Sequence, residues 1–236
     1  KVNLRIIITM LIKKGQLVQN TKLHGRKKTR SSGKENQRII RDIFPNYELK
    51  LEDIQVDLIK NNMIELEIGF GFGEHILHQA LTNPNSNFIG AEPFLGGIIS
   101  LSKKIDERKL SNIKIYNGNA IDVVDTLDKN TLTTIYILFP DPWPKKRHHK
   151  RRLISKYNLD KFSNVLKKGG QLFIATDHEE YQYWILEIMS NRSDFRWICS
   201  GCNDFKSKPY EYPETKYEKK AILAGRRPVY LNFEKN

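Results

Sequence analysis

From Met63 onward, short β-rich runs alternate with segments of helical periodicity, and this alternation constrains the fold more than any other feature. Five strand–helix units follow one another, beginning with MIELEIG and EHILHQAL and ending with QLFIATD and EEYQYWILEIM. Two further strands are predicted, one in FRWICS and one near AILAGRRPVYLNF. Alternation of this kind produces parallel sheets, because each helix returns the chain across one face of the sheet. We therefore expect an α/β fold with a doubly wound, mostly parallel seven-stranded sheet and helices on both faces.

The positive charge of the chain is concentrated in two segments. The formal net charge is +13. Residues 1–50 hold 13 Lys and Arg against 3 Asp and Glu, and residues 145–152 add six basic residues and no acid. A localised basic surface is typical of proteins that dock on a polyanion such as nucleic acid. We expect residues 1–45, which lack an amphipathic period, to form a flexible basic arm, and residues 46–236 to form one domain.

The first strand runs into a glycine-rich turn that precedes a helix. Glycines at this place permit a tight turn and a close approach of the backbone to a ligand at the carboxyl edge of the sheet. A dinucleotide site would need G-x-G-x-x-G, but the sixth residue here is a glutamate, which disfavours NAD. An acidic residue at the end of the second strand can accept hydrogen bonds from the two hydroxyls of a ribose. The pattern therefore favours S-adenosyl-L-methionine as the ligand. The residues of this predicted cofactor site are Glu67, Gly69, Gly71, Gly73 and Glu92.

The fourth strand ends in a proline-flanked carboxylate, Asp141, followed by Trp143 and the basic residues 145–152. Ligands of open α/β sheets bind outside the carboxyl ends of the strands, where this segment is expected to lie. Each proline fixes its own φ and restricts the residue before it, so the carboxylate is held in place. Trp143 offers a flat face for a base, and the basic residues can follow phosphates. The combination indicates a nucleic-acid substrate.

With these motifs, the chain resembles the bacterial tRNA (guanine-N7)-methyltransferases. The matching segments are LEIGFGFGE at 66–74, FIGAEP at 88–93, LFPDPWPKKRHHKRRL at 138–153, ATDHEEY at 175–181 and TKYE at 215–218. They span roughly residues 63–225. The resemblance implies a Rossmann-like class I methyltransferase that methylates the guanosine at position 46, in the tRNA variable loop, to 7-methylguanosine. The basic stretch HGRKKTR is similar to a diverged copy of the family's N-terminal Arg/Gly segment.

The resemblance also implies a role for individual residues. It places Glu67, Glu92 and the end of strand three, Asn119, at the cofactor, and it makes Asp141 the carboxylate of the catalytic site, next to the cofactor. On the substrate side it implies Lys145, Asp177, Thr215, Lys216, Tyr217 and Glu218. Two positions depart from the family pattern. The usual aspartate before Ala120 is Asn119, and the basic-basic-glycine after the TKYE segment is replaced by residues 219–221, KKA.

The chemistry of guanine N7 agrees with these residue types. N7 carries a free lone pair, so its methylation needs no general base. Positive charge moves onto the guanine ring during the transfer, and a fixed carboxylate near the base stabilises that charge as it develops. A carboxylate can also accept from both donors, N1–H and the amino group, of guanine's Watson–Crick edge. We expect Asp141 and Asp177 to divide these two tasks.

Three alternatives stay open: an S-adenosylmethionine enzyme acting on another RNA such as ribosomal RNA, a non-catalytic RNA-binding protein on the same fold, and a NAD-dependent oxidoreductase. No metal site is expected, because the single C-x-x-C at residues 199–202 lacks a second ligand pair, and His75 and His78 are interpreted as surface histidines. The apolar run at 6–12 is too short to span a bilayer. We expect a cytoplasmic protein, a monomer or homodimer, with tRNA as its partner.

Overall fold

A computed structural model describes residues 33–54, 63–201, 203–209 and 212–236. Its strands are β1 Ile64–Ile68, β2 Asn87–Ala91, β3 Ile113–Tyr116, β4 Leu132–Leu138, β5 Leu166–Thr176, β6 Phe195–Trp197 and β7 Val229–Lys235. They form one seven-stranded sheet in the order β3-β2-β1-β4-β5-β7-β6. β1 to β5 pair in parallel, and β7 runs antiparallel to both of its neighbours. This topology confirms the predicted mostly parallel sheet.

The α-helices are α1 Lys34–Arg38, α2 Glu74–Thr82, α3 Leu95–Glu107, α4 Ala120–Thr126, α5 Lys156–Val165, α6 Glu179–Ser190 and α7 Lys216–Leu223. A π-helical turn covers Ile39–Ile43, and 3-10 turns cover Phe44–Asn46, Lys146–Arg151 and Asp204–Lys206. α7 takes up the first part of the segment in which a last strand was expected, so β7 begins only at Val229. In the part of the chain that the structure describes, no helix is long and apolar enough to cross a membrane.

The sheet has a hydrophobic core on each face. Neighbouring residues of β2 show this directly, because Phe88 packs in the cluster that contains α2 and α3, whereas Ile89 packs in the cluster that contains α4, α5 and α6. Successive side chains of a strand point to opposite faces, so a strand buried on both faces reads as a continuous apolar run. The helices therefore cover both faces, as a doubly wound fold requires.

The described end of the predicted basic arm packs on the domain. Ile39 is 1% exposed, and together with Ile43 it forms a small core against Ile99 of α3. Farther along, Glu48 pairs with Ile115 at the free edge of β3. The flexible arm was expected to reach Pro45, but Ile39, Ile43 and Phe44 are buried against the domain, so the packed structure begins at Ile39. The helix α1 before it has no buried residue. Residues 1–32, which hold the HGRKKTR stretch, and Cys202 lie outside the described residues.

The order of the strands defines where a ligand can bind. The chain leaves β1 toward β2 on one side, while β4 lies on the other side of β1. Helices therefore leave the carboxyl ends of β1 and β4 in opposite directions, and a crevice opens between them. The glycine turn follows β1, and the Asp141 loop follows β4, so both lie at this crevice.

Candidate active site

The turn after β1 is built from three glycines with left-handed backbone. Their φ angles are +74° for Gly69, +59° for Gly71 and +79° for Gly73, a region that side chains with a β-carbon rarely adopt. Gly97 of α3 approaches the same turn so closely that a β-carbon there would lie 2.1 Å from the carbonyl oxygen of Gly71. The path of this turn therefore depends on glycine at both the turn and the helix that packs on it.

Glu92 joins the end of β2 to the glycine turn. Its side chain is buried, its Oε2 accepts from the backbone N–H of Gly71 at 2.8 Å, and its Oε1 accepts from the N–H of Phe94 at 2.9 Å. Burial raises the pKa of Glu92 above its ordinary value, and these two hydrogen bonds oppose that rise. Each carboxylate oxygen keeps a further lone pair with which it can accept from a ligand hydroxyl.

Glu67 at the end of β1 is held by a buried histidine. Its Oε2 lies 2.8 Å from Nδ1 of His75, and the Nε2 of His75 lies 3.2 Å from the amide nitrogen of Gln79. A proton on Nδ1 satisfies both contacts, because Nδ1 then donates to the carboxylate and Nε2 accepts from the amide. His75 is 2% exposed. Its interpretation as a surface histidine is wrong, since the helix turns this residue toward the end of β1.

Asn119 lies where β3 ends and α4 begins. Its Oδ1 accepts from the backbone N–H of Ile121 at 3.1 Å, which caps the helix. An asparagine performs this capping as well as an aspartate does, so the departure from the family pattern leaves the local fold intact. The substitution changes the charge that this edge of the sheet presents.

The Asp141 loop has an unusual backbone on both sides of the carboxylate. Phe139 and Trp143, the residues just outside the two prolines, have positive φ angles of +54° and +44°. Non-glycine residues in this region cost about 1–3 kcal/mol each and persist only where the surroundings hold them. The N–H of Phe139 donates to the carbonyl of Ala175 on β5 at 2.8 Å. The loop is thus a constrained segment at the end of β4.

The carboxylate of Asp141 lies near the acids of β1 and β2. Its side chain reaches solvent, but the groups around it desolvate it and raise its pKa. The negative charges of Glu67 and Asp141 both act on Glu92 and raise the pKa of that group further. The structure therefore brings Glu67 and Asp141 within electrostatic reach of Glu92 at the crevice.

The basic block after Asp141 forms the 3-10 turn Lys146–Arg151. Its exposed cations are Lys145, Lys146, Arg147 and Lys150. The guanidinium of Arg151 lies 5.0 Å above the ring of Trp143, the ring expected to stack on a base, so one face of that ring is already covered. Arg152 is only 2% exposed. The expectation that the whole run follows phosphates is therefore wrong for Arg152, whose side chain is buried under α6.

Asp177, after β5, is paired with an arginine from the end of the chain. Its Oδ2 accepts from Nε of Arg226 at 2.6 Å. Sequence reasoning did not find Arg226, because no local pattern links it to Asp177. Asp177 lies at the same edge of the sheet as Asp141, since β4 and β5 are parallel neighbours.

The residues of the Thr215–Glu218 segment contact two different parts of the structure. Thr215 caps α7 by accepting from the N–H of Glu218, whose buried carboxylate in turn accepts from the hydroxyl of Tyr230 at 2.5 Å. The other two residues contact the glycine turn instead: the ammonium of Lys216 lies 4.0 Å from the ring centre of Phe72, and the ring of Tyr217 lies against Gly71. A segment expected on the substrate side thus also covers the predicted cofactor turn.

The chain is similar to known methyltransferases. A family model for methyltransferases matches residues 61–231. A tRNA (guanine-N(7)-)-methyltransferase of Zymomonas mobilis subsp. mobilis is 36% identical over 217 residues, which cover 91% of this chain and 94% of the relative. Another tRNA (guanine-N(7)-)-methyltransferase, of Rhizobium johnstonii, is 45% identical over 173 residues, which cover 73% of this chain and 74% of the relative. Among solved structures, the 16S rRNA methyltransferase KamB matches with a TM-score of 0.56 at 13% identity, over 80% of this chain and 95% of that one, a likeness of fold alone.

Proposed function

The chain belongs to the family of tRNA (guanine-N(7)-)-methyltransferases, and from that premise we propose that it methylates the guanosine at position 46 of the tRNA variable loop. It is an enzyme that transfers a methyl group from S-adenosylmethionine to N7 of a guanine in tRNA, and the product is 7-methylguanosine. The observation that carries the assignment of its active site is that the left-handed glycine turn after β1 and the constrained Asp141 loop after β4 both lie at the crevice between these two strands. The roles that we propose for the individual residues follow from the position of the site at this crevice.

The residues of the crevice fit S-adenosylmethionine. The left-handed glycine turn allows a ligand to approach the backbone closely, Glu92 offers acceptors for the ribose hydroxyls, and Glu67 offers a carboxylate for the cationic amino acid end. Asn119 lies at the end of the neighbouring strand, where we assign it to the adenine. When bound, the cofactor supplies a methyl group on a cationic sulfur, which becomes a neutral thioether as the lone pair of N7 takes the methyl carbon.

Asp141 is the residue that we assign to the methyl transfer itself. Its constrained loop holds a carboxylate at the crevice, where the guanine ring gains positive charge as N7 forms its new bond. A preorganised opposite charge stabilises that transition state more than the neutral ground state, and this difference accelerates the reaction. No proton leaves N7, so Asp141 is not needed as a base.

The substrate side of the site consists of Asp177 and the surrounding cations. Arg226 occupies one oxygen of Asp177 and leaves the carboxylate able to accept from the N1–H and amino donors of guanine with its remaining lone pairs. Lys145 and the exposed cations that follow it lie on the same loop as Asp141, where they can bind the phosphates that flank the target base. We assign Thr215 and Glu218 a structural role on the substrate side, because the hydrogen bond between them fixes the start of α7.

The decisive experiment is methyl transfer from labelled S-adenosylmethionine to unmodified tRNA, followed by reduction and aniline cleavage, which cuts the chain at 7-methylguanosine. A single cut in the variable loop is the expected result. Label without a cut would contradict methylation at N7, and a cut elsewhere would contradict the proposed position. A ribosomal RNA substrate in the same assay is the control, because the similarity to the 16S rRNA methyltransferase KamB is one of fold alone. A cytoplasmic location, and a monomer or homodimer as the active unit, stay predictions from the sequence.

A further inference from the structure

Arg152 is the last cation of the basic block, and its surroundings differ from those of the cations before it. Its side chain is 1% exposed, whereas Lys146, Arg147 and Lys150 in the same run are exposed. A long basic side chain is rarely buried unless each of its charged groups has a partner. The partners of Arg152 therefore indicate what this residue does.

The guanidinium of Arg152 joins the Asp141 loop to α6. Its Nε donates to the carbonyl oxygen of Pro142, the residue directly after Asp141, at 2.9 Å. Its Nη2 donates to Oε1 of Glu180 at 2.7 Å. The guanidinium also lies 5.2 Å from the ring centre of Tyr181 and 4.8 Å from that of Trp184. A planar group with donors in fixed directions is suited to such a site, and lysine is not.

The α6 residues that hold Arg152 are themselves fixed. Tyr181 is fully buried, and its hydroxyl accepts from the N–H of Ile154 at 3.2 Å. The indole N–H of Trp184 donates to the carbonyl oxygen of Ile154 at 2.8 Å. The support for Arg152 is therefore a rigid part of the fold, and Arg152 transmits that rigidity to the carbonyl of Pro142.

We propose that Arg152 is a positioning residue for Asp141: it clamps the carbonyl of Pro142 onto α6 and so holds the carboxylate at the place where the guanine ring becomes charged. The proposal rests on the proposed function, because it assigns Arg152 to the reaction and not to RNA binding. The loop needs such a clamp, since Phe139 and Trp143 on either side of Asp141 both have left-handed backbone. Without the clamp the loop relaxes and the carboxylate moves.

The experiment compares Arg152→Lys with Lys150→Ala, an exposed cation of the same run. For Arg152→Lys we expect kcat to fall about 10- to 100-fold, because a misplacement of about 1 Å can cost that much. Affinity for S-adenosylmethionine and the salt dependence of tRNA binding stay as in the wild type. For Lys150→Ala, which removes a cation assigned to phosphate binding, we expect weaker binding of tRNA and a salt slope reduced by about one. A wild-type kcat in Arg152→Lys, or a reduced salt slope in that variant, would overturn the proposal.

A double-mutant cycle separates positioning of Asp141 from a general structural role. If Arg152 acts through Asp141, the change Arg152→Lys lowers kcat in the wild type but not in the Asp141→Ala background. Equal losses in both backgrounds would refute the assignment. Glu180→Gln is a milder second variant, since Glu180 is half-exposed and its loss leaves the contact with Pro142 in place. We expect it to lower kcat by a smaller factor.

Hydrogen exchange of residues 139–145 tests the clamp without reference to activity. Arg152→Lys should accelerate exchange in this segment, and Lys150→Ala should not. Faster exchange in a protein that fails to methylate tRNA would contradict the proposed function and leave the clamp standing. Unchanged exchange in an enzyme that does methylate tRNA would reject the clamp and leave the proposed function standing.

Discussion

The imidazole of His75 lies 2.8 Å from the carboxylate of Glu67, and both side chains are buried at the end of β1. His75 has a second partner in Gln79, so a neutral ring with a proton on Nδ1 satisfies every contact. The carboxylate is therefore oriented before the cofactor binds. A group held in this way loses little freedom on binding, which favours affinity.

Replacing His75 should weaken cofactor binding. In His75→Ala the buried carboxylate loses its donor, at a cost of about 1–3 kcal/mol, and Glu67 becomes free to turn away from the crevice. We expect the Kd for S-adenosylmethionine, measured by calorimetry, to rise about tenfold, which is 1.4 kcal/mol. His78→Ala on the same helix is the control and should leave the Kd unchanged. Equal values for the two variants would show that His75 does not orient Glu67.

The contact between Gly97 and Gly71 predicts a severe effect of a single methyl group. In Gly97→Ala the β-carbon would lie 2.1 Å from a backbone oxygen, so the glycine turn or α3 must move. We expect a loss of cofactor affinity of at least about 100-fold, since the glycine turn changes shape. Gly169→Ala is the matched control: its φ is +75°, but no atom lies within 4 Å. That variant should lose about 1–2 kcal/mol of stability from backbone strain and keep its Kd.

Removing the carboxylate of Asp141 should affect the reaction and not cofactor binding. We expect Asp141→Ala to lower single-turnover methyl transfer about 10²- to 10³-fold, the usual loss for one preorganised electrostatic group. The Kd for S-adenosylmethionine should stay within about threefold of the wild type, or 0.7 kcal/mol. Asp141→Asn keeps an acceptor but not the charge, so a nearly wild-type rate in this variant would argue against charge stabilisation.

Cofactor affinity should depend on pH through Glu92. Burial raises the pKa of this group above its ordinary value, and the charged form is the better acceptor for the Gly71 N–H and for ribose hydroxyls. As pH falls from neutral through this raised pKa, Glu92 takes up a proton and affinity should drop. Titration of the Kd in wild type and Glu92→Gln tests this, because the variant should bind weakly at all pH values. A pH dependence that persists in Glu92→Gln would assign the titration to another group, such as Asp141.

The pair of Asp177 and Arg226 should matter for the substrate. In Arg226→Ala the carboxylate loses its donor and is free to rotate. We expect kcat/KM for tRNA to fall about tenfold while cofactor affinity stays constant, since a misplaced acceptor fits the guanine edge less well. Arg227→Ala removes the same charge from an exposed neighbour and is the control. Equal losses in the two variants would mean that general attraction of tRNA, and not the pair, is responsible.

Local patterns in the sequence determined the elements of the fold and the glycine turn. The alternation of strands and helices follows from hydrophobic periodicity, which each segment carries by itself. The order of the strands in the sheet comes from the structure. The left-handed backbone of Gly69, Gly71 and Gly73 is likewise a local property. The positions of Glu67, Glu92 and Asp141 at strand ends were predictable for the same reason, since parallel strands end at one edge of the sheet.

Only the tertiary structure decided which similar residues differ in role. Arg152 belongs to a run of cations in the sequence, and burial under Trp184 distinguishes it from Lys150. The same holds for His75, which faces Glu67, and for Arg226, which reaches Asp177 across 49 positions of the chain. These contacts join segments that are distant in sequence, so no local period encodes them. The surroundings of a side chain are set by whatever the whole fold brings against it.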